Sequence, residues 1–201
     1  MERLCFWLKD LILILLTCNF VVRKRIINHL ARGSNFESVL DAGCGTGILA
    51  RLFSSKQYYG VDVDRGAVSY ARKANPGYKF AVGDLTNFTS NRSFDLVLVV
   101  GVLHHLEKVE SEKYLQFIST HSRKNVRIII IEAIPPIKKW NLPGFLLRYF
   151  DKGKFVRTRS DYKKMIEKKF RITENFLSTE VFFDYAVFLA VKGTGVRRSL
   201  K

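Results

Sequence analysis

The sequence predicts an α/β fold with a doubly wound, mostly parallel sheet and helices on both of its faces. Short apolar segments alternate with amphipathic segments from residue 36 onward, a pattern typical of βαβ units. A glycine-rich stretch, Asp41–Gly47, follows the first apolar segment, and the segment Ser93–Val100 is nearly all apolar, as a central parallel strand should be. With 201 residues, 47% of them hydrophobic, the chain can bury one full core, so we expect one main domain.

Seven strands are predicted, each from a short segment rich in apolar residues. They span Phe36–Leu40, Gln57–Val61, Tyr78–Val82, Ser93–Val100, Val126–Glu132, Ile172–Thr179 and Phe182–Val191. The last two strands are joined by a tight turn and close the sheet.

Four helices are predicted between these strands. They span Thr46–Ser54, Arg65–Ala74, Lys108–His121 and residues 160–169. Asp64 precedes the second of them, and Ser160 is the expected N-cap of the fourth. The segment from about 137 to 170, which begins with loop residues, is predicted to be a basic and aromatic substrate insertion.

The first 32 residues differ from the domain at 33–201 because they are strongly apolar. The apolar stretch Leu11–Val22 is shorter than the roughly 20 residues of a membrane-spanning helix. We expect a pair of helices, over 3–18 and 20–32, that pack on the domain edge and cover its site. The alternative is a helix at the membrane interface with Arg23–Arg25 as a basic anchor.

The chain is strongly basic, with 34 lysines and arginines against 18 acidic residues, a net charge of +16 and a pI near 9.9. Such a surface attracts nucleic acid, acidic lipid headgroups or an anionic substrate. The three cysteines, Cys5, Cys18 and Cys44, have neither a close pairing nor metal-ligand spacing. We therefore expect a cytoplasmic protein without a metal site, peripheral at the inner membrane face if the N-terminal residues touch lipid.

Four short motifs follow the predicted strands in order. They are Asp41-Ala-Gly-Cys-Gly-Thr-Gly47, Gly60-Val-Asp62, Gly83-Asp84, and Phe94-Asp-Leu-Val with Gly101-Val-Leu-His-His105. In this order they resemble the motifs of class I S-adenosylmethionine-dependent methyltransferases, in their small-molecule or lipid branch. The rival is a dinucleotide-binding domain, which requires G-x-G-x-x-G; the two-by-two spacing of Gly43, Gly45 and Gly47 favours the methyltransferase.

The resemblance implies a Rossmann-like, seven-stranded sheet with an antiparallel last strand, and S-adenosyl-L-methionine as the cofactor. Asp41 would orient the cofactor ammonium group, Asp62 would accept hydrogen bonds from the ribose diol, and Asp84 would accept from the adenine amino group. Val63 and Leu85 would pack on the adenine ring. The complete set of implied cofactor residues is Asp41, Gly43, Cys44, Gly45, Gly47, Asp62, Val63, Asp84, Leu85 and Val100.

His104 and His105 follow strand four, where the family brings substrate and methyl donor together. A histidine there can act as a general base, because its unperturbed pKa lies near 6.5. The alternative is that one of them only hydrogen-bonds a loop. The family's reaction requires no metal, since the cofactor already carries an excellent leaving group.

Motifs that the sequence lacks disfavour some classes of methyl acceptor. Family members that methylate amino groups of bases carry an Asn- or Asp-Pro-Pro-aromatic segment after strand four, and this chain has Gly101-Val-Leu-His there. Nucleic-acid bases are thus disfavoured as acceptors. The basic, aromatic insertion offers Arg148, Arg157 and Arg159 as ligands for a small or lipid-linked anionic acceptor.

Two alternatives remain open at this point. An RNA methyltransferase acting on ribose or cap would use the same basic segment for RNA binding. A non-catalytic, membrane-associated binding protein would keep the fold and bind an anionic membrane surface.

Overall fold

A computed structural model describes residues 23–32, 35–88, 90–137, 154–180 and 183–193. The chain forms two compact units, Met1–Ser34 and Asn35–Lys201. In the first unit, helix α1 covers residues 23–31, within the helix predicted over 20–32. The predicted helix over 3–18 lies outside the described residues. None of the helices in the described ranges combines the length and the apolarity needed to cross a membrane.

The second unit is built on a mixed seven-stranded sheet. Its strands are β1 (Val39–Ala42), β2 (Tyr58–Asp62), β3 (Lys79–Val82), β4 (Phe94–Val100), β5 (Ser122–Ala133), β6 (Phe170–Glu180) and β7 (Phe183–Lys192). They lie in the order β3-β2-β1-β4-β5-β7-β6. The first five strands pair in parallel, whereas β7 is antiparallel to both β5 and β6. The predicted α/β, Rossmann-like fold class is confirmed.

In the described residues of this unit, three helices connect the strands: α2 (Arg65–Ala74), α3 (Lys108–Thr120) and α4 (Arg159–Glu167). Asp64 caps α2, as its position predicts, and its side chain accepts hydrogen bonds from the Gly66 and Ala67 N–H groups. Glu107 and Glu110 form a capping box at the start of α3. Both caps satisfy N–H groups that have no partner inside the helix.

The predicted helix over Thr46–Ser54 is wrong. Only a short 3-10 turn, Ala50–Leu52, forms there. Gly45 and Gly47 both have positive φ angles, of 50° and 74°, which interrupt a right-handed helix. The stretch after β1 is therefore an open loop of successive turns.

Several predicted boundaries are also wrong; strand β5, for example, begins at Ser122 instead of Val126. Strand β1 begins at Val39 instead of Phe36, because the N–H groups of Glu37 and Ser38 bind the Asp95 side chain in place of a neighbouring strand. The N-cap of α4 is Thr158 instead of Ser160, since the Thr158 side chain accepts from the Asp161 N–H.

The core lies on both faces of the central strands. Every residue of β1 is buried, and the second half of β5, from Ile128 to Ala133, is buried as well. Because β1 lies between β2 and β4 and runs parallel to both, the carboxyl ends of these strands meet at one edge of the sheet. Such an edge is where ligands bind in open parallel sheets.

Candidate active site

The glycine loop after β1 is closely packed at its ends and open in its middle. A Cβ atom added to Gly43 would lie 2.4 Å from Val102 Cγ2, and one added to Gly47 would lie 2.8 Å from the Phe80 ring. A Cβ atom on Gly45 would meet no described atom within 4 Å. Gly43 and Gly47 are thus required by packing, whereas Gly45 leaves open space beside the backbone.

Asp62 fastens this loop to the end of β2. Its Oδ2 atom accepts a hydrogen bond of 2.7 Å from the Gly45 N–H, and its Oδ1 atom accepts one of 2.9 Å from the Asp64 N–H. The residue is half-buried, and each carboxylate oxygen has a second lone pair. Asp62 can therefore hold the loop and accept further hydrogen bonds from a ligand's hydroxyl groups.

Asp41 lies on β1, buried directly beneath the loop. The Tyr58 hydroxyl donates a 2.6 Å hydrogen bond to its Oδ2 atom, whereas Oδ1 is buried without a hydrogen-bond partner among the described residues. Burial raises the pKa of Asp41 to about 7; the Tyr58 hydrogen bond opposes this shift and the negative charge of Asp62 adds to it. An unsatisfied buried carboxyl oxygen here is suited to a cationic ligand group.

The other predicted cofactor residues lie around the same edge. Val63 is 69% exposed and Val100 is half-buried, while Leu85 is buried in the core. Asp84 is exposed and accepts a hydrogen bond from the Thr86 N–H. Cys44 is buried, and burial raises the pKa of its thiol, which makes it a poor nucleophile.

The two histidines lie on a 3-10 turn, Leu103–His105, which follows the end of β4. His104 is buried and His105 is exposed, with ring centroids 4.1 Å apart. His104 Nδ1 lies 2.8 Å from Oε2 of Glu132, a side chain with no exposed surface. Glu132 was not among the predicted site residues, although a single acid at the end of an isoleucine-rich strand is a signal that could have identified it.

The three predicted acceptor ligands have different surroundings. Arg157 donates to the Leu103 and Leu106 carbonyl oxygens, at 2.6 and 2.7 Å. Arg159 donates to the backbone and side-chain oxygens of Asn175 on β6. Arg148 lies outside the described residues. Their role in acceptor binding stays a prediction.

The residues at this edge fit the cofactor that the motifs imply. The unsatisfied oxygen of Asp41 suits an ammonium group, Asp62 suits a pair of hydroxyl groups, and the space beside Gly45 admits a ligand close to the backbone. No cluster of three or more His, Cys, Asp or Glu side chains with metal-binding geometry occurs in the described parts of the chain.

Comparison with known proteins finds similarity to methyltransferases. Residues 39–125 match a family described as a methyltransferase domain. Among solved structures, the N-methyltransferase NodS of Bradyrhizobium japonicum, in complex with S-adenosyl-l-homocysteine, is similar with a TM-score of 0.68 at 14% identity, over 85% of each chain. Magnesium protoporphyrin IX methyltransferase of Synechocystis, also with S-adenosyl-l-homocysteine bound, is similar with a TM-score of 0.64 at 19% identity, over 89% of this chain and 83% of that one.

Two curated relatives can be aligned at the sequence level. The ubiquinone biosynthesis O-methyltransferase of Rickettsia canadensis is 24% identical over 72% of this chain and 62% of its own length. The demethylmenaquinone methyltransferase of Thermotoga maritima is 30% identical over 58% of this chain and 52% of its own. The chain thus spans less than two thirds of the length of these relatives.

Residues 39–125 therefore match a methyltransferase domain, as the motifs predict, and the seven-stranded sheet has the fold of these solved methyltransferases.

Proposed function

We propose that this protein transfers a methyl group from S-adenosylmethionine to the hydroxyl oxygen of a small aromatic acceptor of the quinone-precursor kind, linked to a lipid. The observation that carries this proposal is His104 beside the buried carboxylate of Glu132, at the end of β4. A hydroxyl group becomes a good nucleophile only when its proton is removed, and an imidazole paired with a carboxylate is suited to accept that proton.

The cofactor, when bound, supplies a methyl group on a sulfonium centre, which is an excellent leaving group. Asp41 and Asp62 would hold the cofactor at the edge of the sheet through its ammonium and ribose hydroxyl groups. His104, or the exposed His105 beside it, would hold the proton from the acceptor hydroxyl. The protein's main contribution is alignment of the reacting groups.

The acceptor class is supported by the relatives and by charge. Relatives from several Rickettsia species are named ubiquinone biosynthesis O-methyltransferases, and the Thermotoga maritima relative is named a demethylmenaquinone methyltransferase. The net charge of +16 favours an anionic acceptor, or one presented at an anionic membrane surface.

The test uses methyl-labelled S-adenosylmethionine with a polyprenyl catechol, alongside the same compound with both hydroxyl groups already methylated. We expect label in the free catechol only, and a loss of about 100-fold or more when His104 and His105 are both replaced by alanine. Undiminished turnover of this double variant would remove the histidines from the mechanism. Label in an RNA extract instead of the catechol would overturn the proposed acceptor, and a folded protein that fails to bind S-adenosylhomocysteine in calorimetry would overturn the cofactor assignment.

A further inference from the structure

We infer that Glu132 and Arg157 are positioning residues, which hold the turn at residues 102–106 from opposite sides and thereby fix His104 in the active site. The inference rests on the proposed role of His104 in methyl transfer. It assigns a role to Glu132, which no motif marks, and assigns Arg157 to this turn instead of to the acceptor.

Glu132 holds the amino end of the turn. Its Oε1 atom accepts hydrogen bonds from the N–H groups of Val102 and Leu103, at 2.9 and 2.8 Å. These N–H groups lie at the start of the 3-10 turn, where no acceptor within the turn is available. The other oxygen, Oε2, lies 2.8 Å from His104 Nδ1. A completely buried carboxylate requires such partners, and this one has three.

Arg157 holds the carbonyl groups of the same turn. Its Nη1 and Nη2 atoms donate to the Leu103 and Leu106 carbonyl oxygens, and the N–H of nearby Phe155 donates to the His104 carbonyl at 2.9 Å. The planar guanidinium group can bridge two carbonyl groups in one fixed geometry, which a lysine ammonium cannot. Glu132 thus binds the N–H groups of the turn, and Arg157 binds its carbonyl groups.

The position of this turn matters because it rests on the cofactor loop. Val102 packs against Gly43 so closely that a Cβ atom there would lie 2.4 Å from Val102 Cγ2. Displacement of the turn would therefore move His104 relative to the loop. A displacement of about 1 Å in a catalytic group lowers the reaction rate by a large factor.

Glu132 also selects the tautomer of His104. A carboxylate oxygen accepts hydrogen bonds, so Nδ1 carries the proton in the neutral ring and Nε2 carries the lone pair that can accept one. Glutamine at position 132 would still offer one oxygen to the two backbone N–H groups. Its amide NH₂ would face Nδ1 and favour the opposite tautomer.

The decisive variant is therefore Glu132→Gln, measured with S-adenosylhomocysteine bound. In long-range ¹H–¹⁵N spectra of histidine-labelled protein, we expect Nδ1–H for His104 in the wild type and Nε2–H in the variant. S-adenosylhomocysteine affinity should change by less than about threefold, while kcat on the catechol acceptor falls by about 100-fold with KM unchanged. The same His104 tautomer in both proteins would overturn the inference.

Arg157→Lys tests the other side of the turn, and it carries the test alone if Glu132→Gln does not fold. We expect altered His104 resonances. We also expect kcat to fall equally with a neutral catechol and with a catechol that carries a negatively charged substituent. A rise in KM for the anionic catechol alone would show that Arg157 binds the acceptor and would overturn its assignment to the turn. Arg123→Lys, at an exposed ion pair with Glu37 at the start of β5, is the matched control and should change neither measurement.

The spectra and the calorimetry need no acceptor, so they separate the two proposals. An unchanged tautomer overturns the positioning role whatever the methyl-transfer assay gives. A tautomer that switches while no catechol is labelled supports the positioning role and overturns the hydroxyl acceptor alone.

Discussion

At the scale of single residues, Asp41 has the most unusual environment in the site. It is buried on β1, bound on one oxygen by Tyr58 and unsatisfied on the other among the described residues. Burial raises its pKa from 3.8 to about 7. Between these two pH values, Asp41 therefore keeps its proton in the folded, cofactor-free protein and releases it in the unfolded chain.

This shift predicts how stability depends on pH. A carboxyl group whose pKa is raised by folding stabilises the folded state fully below pH 3.8, and the contribution is lost as pH rises through about 7. We expect Asp41→Asn to remove this dependence, because asparagine is neutral and can still accept from Tyr58. Relative to that variant, the wild type should lose about 3 kcal/mol of unfolding free energy between pH 4 and pH 7.

Urea denaturation of both proteins at several pH values measures the difference. Asp64→Asn, at the exposed N-cap of α2, serves as the control for removing a carboxylate near the site, since asparagine also caps helices well. A wild-type curve that stays parallel to the Asp41→Asn curve over the whole range would contradict the prediction.

At the scale of structural elements, the loop after β1 makes the site possible. Three glycines with positive φ keep the chain from continuing as a helix, and two of them are packed so tightly that no side chain fits. Gly45 differs, since a side chain at this position would extend into the open space that suits the cofactor. Its small size should therefore matter for cofactor binding as well as for folding.

Gly45→Ala should thus bind S-adenosylhomocysteine at least about tenfold more weakly, which corresponds to about 1.4 kcal/mol. Alanine at positive φ should also lower the unfolding free energy by about 1–2 kcal/mol. Calorimetry and denaturation measure the two effects separately.

Gly77→Ala is the matched control for backbone strain. Gly77 has a φ of 86° and, like Gly45, no described atom within 4 Å of an added Cβ, but it lies in the turn after α2. It should show the same loss of stability with unchanged affinity. Equal affinities for both variants would mean that Gly45 does not face the cofactor.

At the scale of the whole molecule, charge is the dominant feature. A chain with a net charge of +16 is expected to bind anionic surfaces without sequence or shape specificity. If its acceptor is lipid-linked, this attraction would bring the protein to the membrane where the acceptor lies.

We expect the 201-residue chain to sediment with vesicles that contain anionic phospholipid at about 0.01 M salt, where the Debye length is about 30 Å, and to be released at about 1 M salt, where it is about 3 Å. Purely zwitterionic vesicles are the control and should bind little. Equal, salt-resistant binding to both kinds of vesicle would contradict an electrostatic origin and would favour the apolar sequence of residues 11–22.

Local sequence predicts much of this fold and part of the site. The ordered motifs predict the mostly parallel sheet, which is confirmed, and a methyltransferase domain, which residues 39–125 match, because strand ends and glycine turns are specified by neighbouring residues. The predicted helix after the glycine loop failed because helix propensity there is overridden by positive φ angles. Thr158 was not predicted as the N-cap because Ser160 is an equally good capping residue. Which of the two caps the helix depends on where the helix begins in the folded protein.

The sequence by itself determined the glycine loop after β1, the acids Asp41 and Asp62 on β1 and β2, and the position of the histidines after β4, since each follows from residues that are adjacent in the chain. The tertiary structure alone decided that Glu132 and Arg157 meet at the histidine turn, from 28 and 51 residues away from their partners His104 and Leu106. The partners in such contacts cannot be read from adjacent residues, because the first depends on β4 and β5 becoming neighbours in the sheet and the second on the path of the chain before α4.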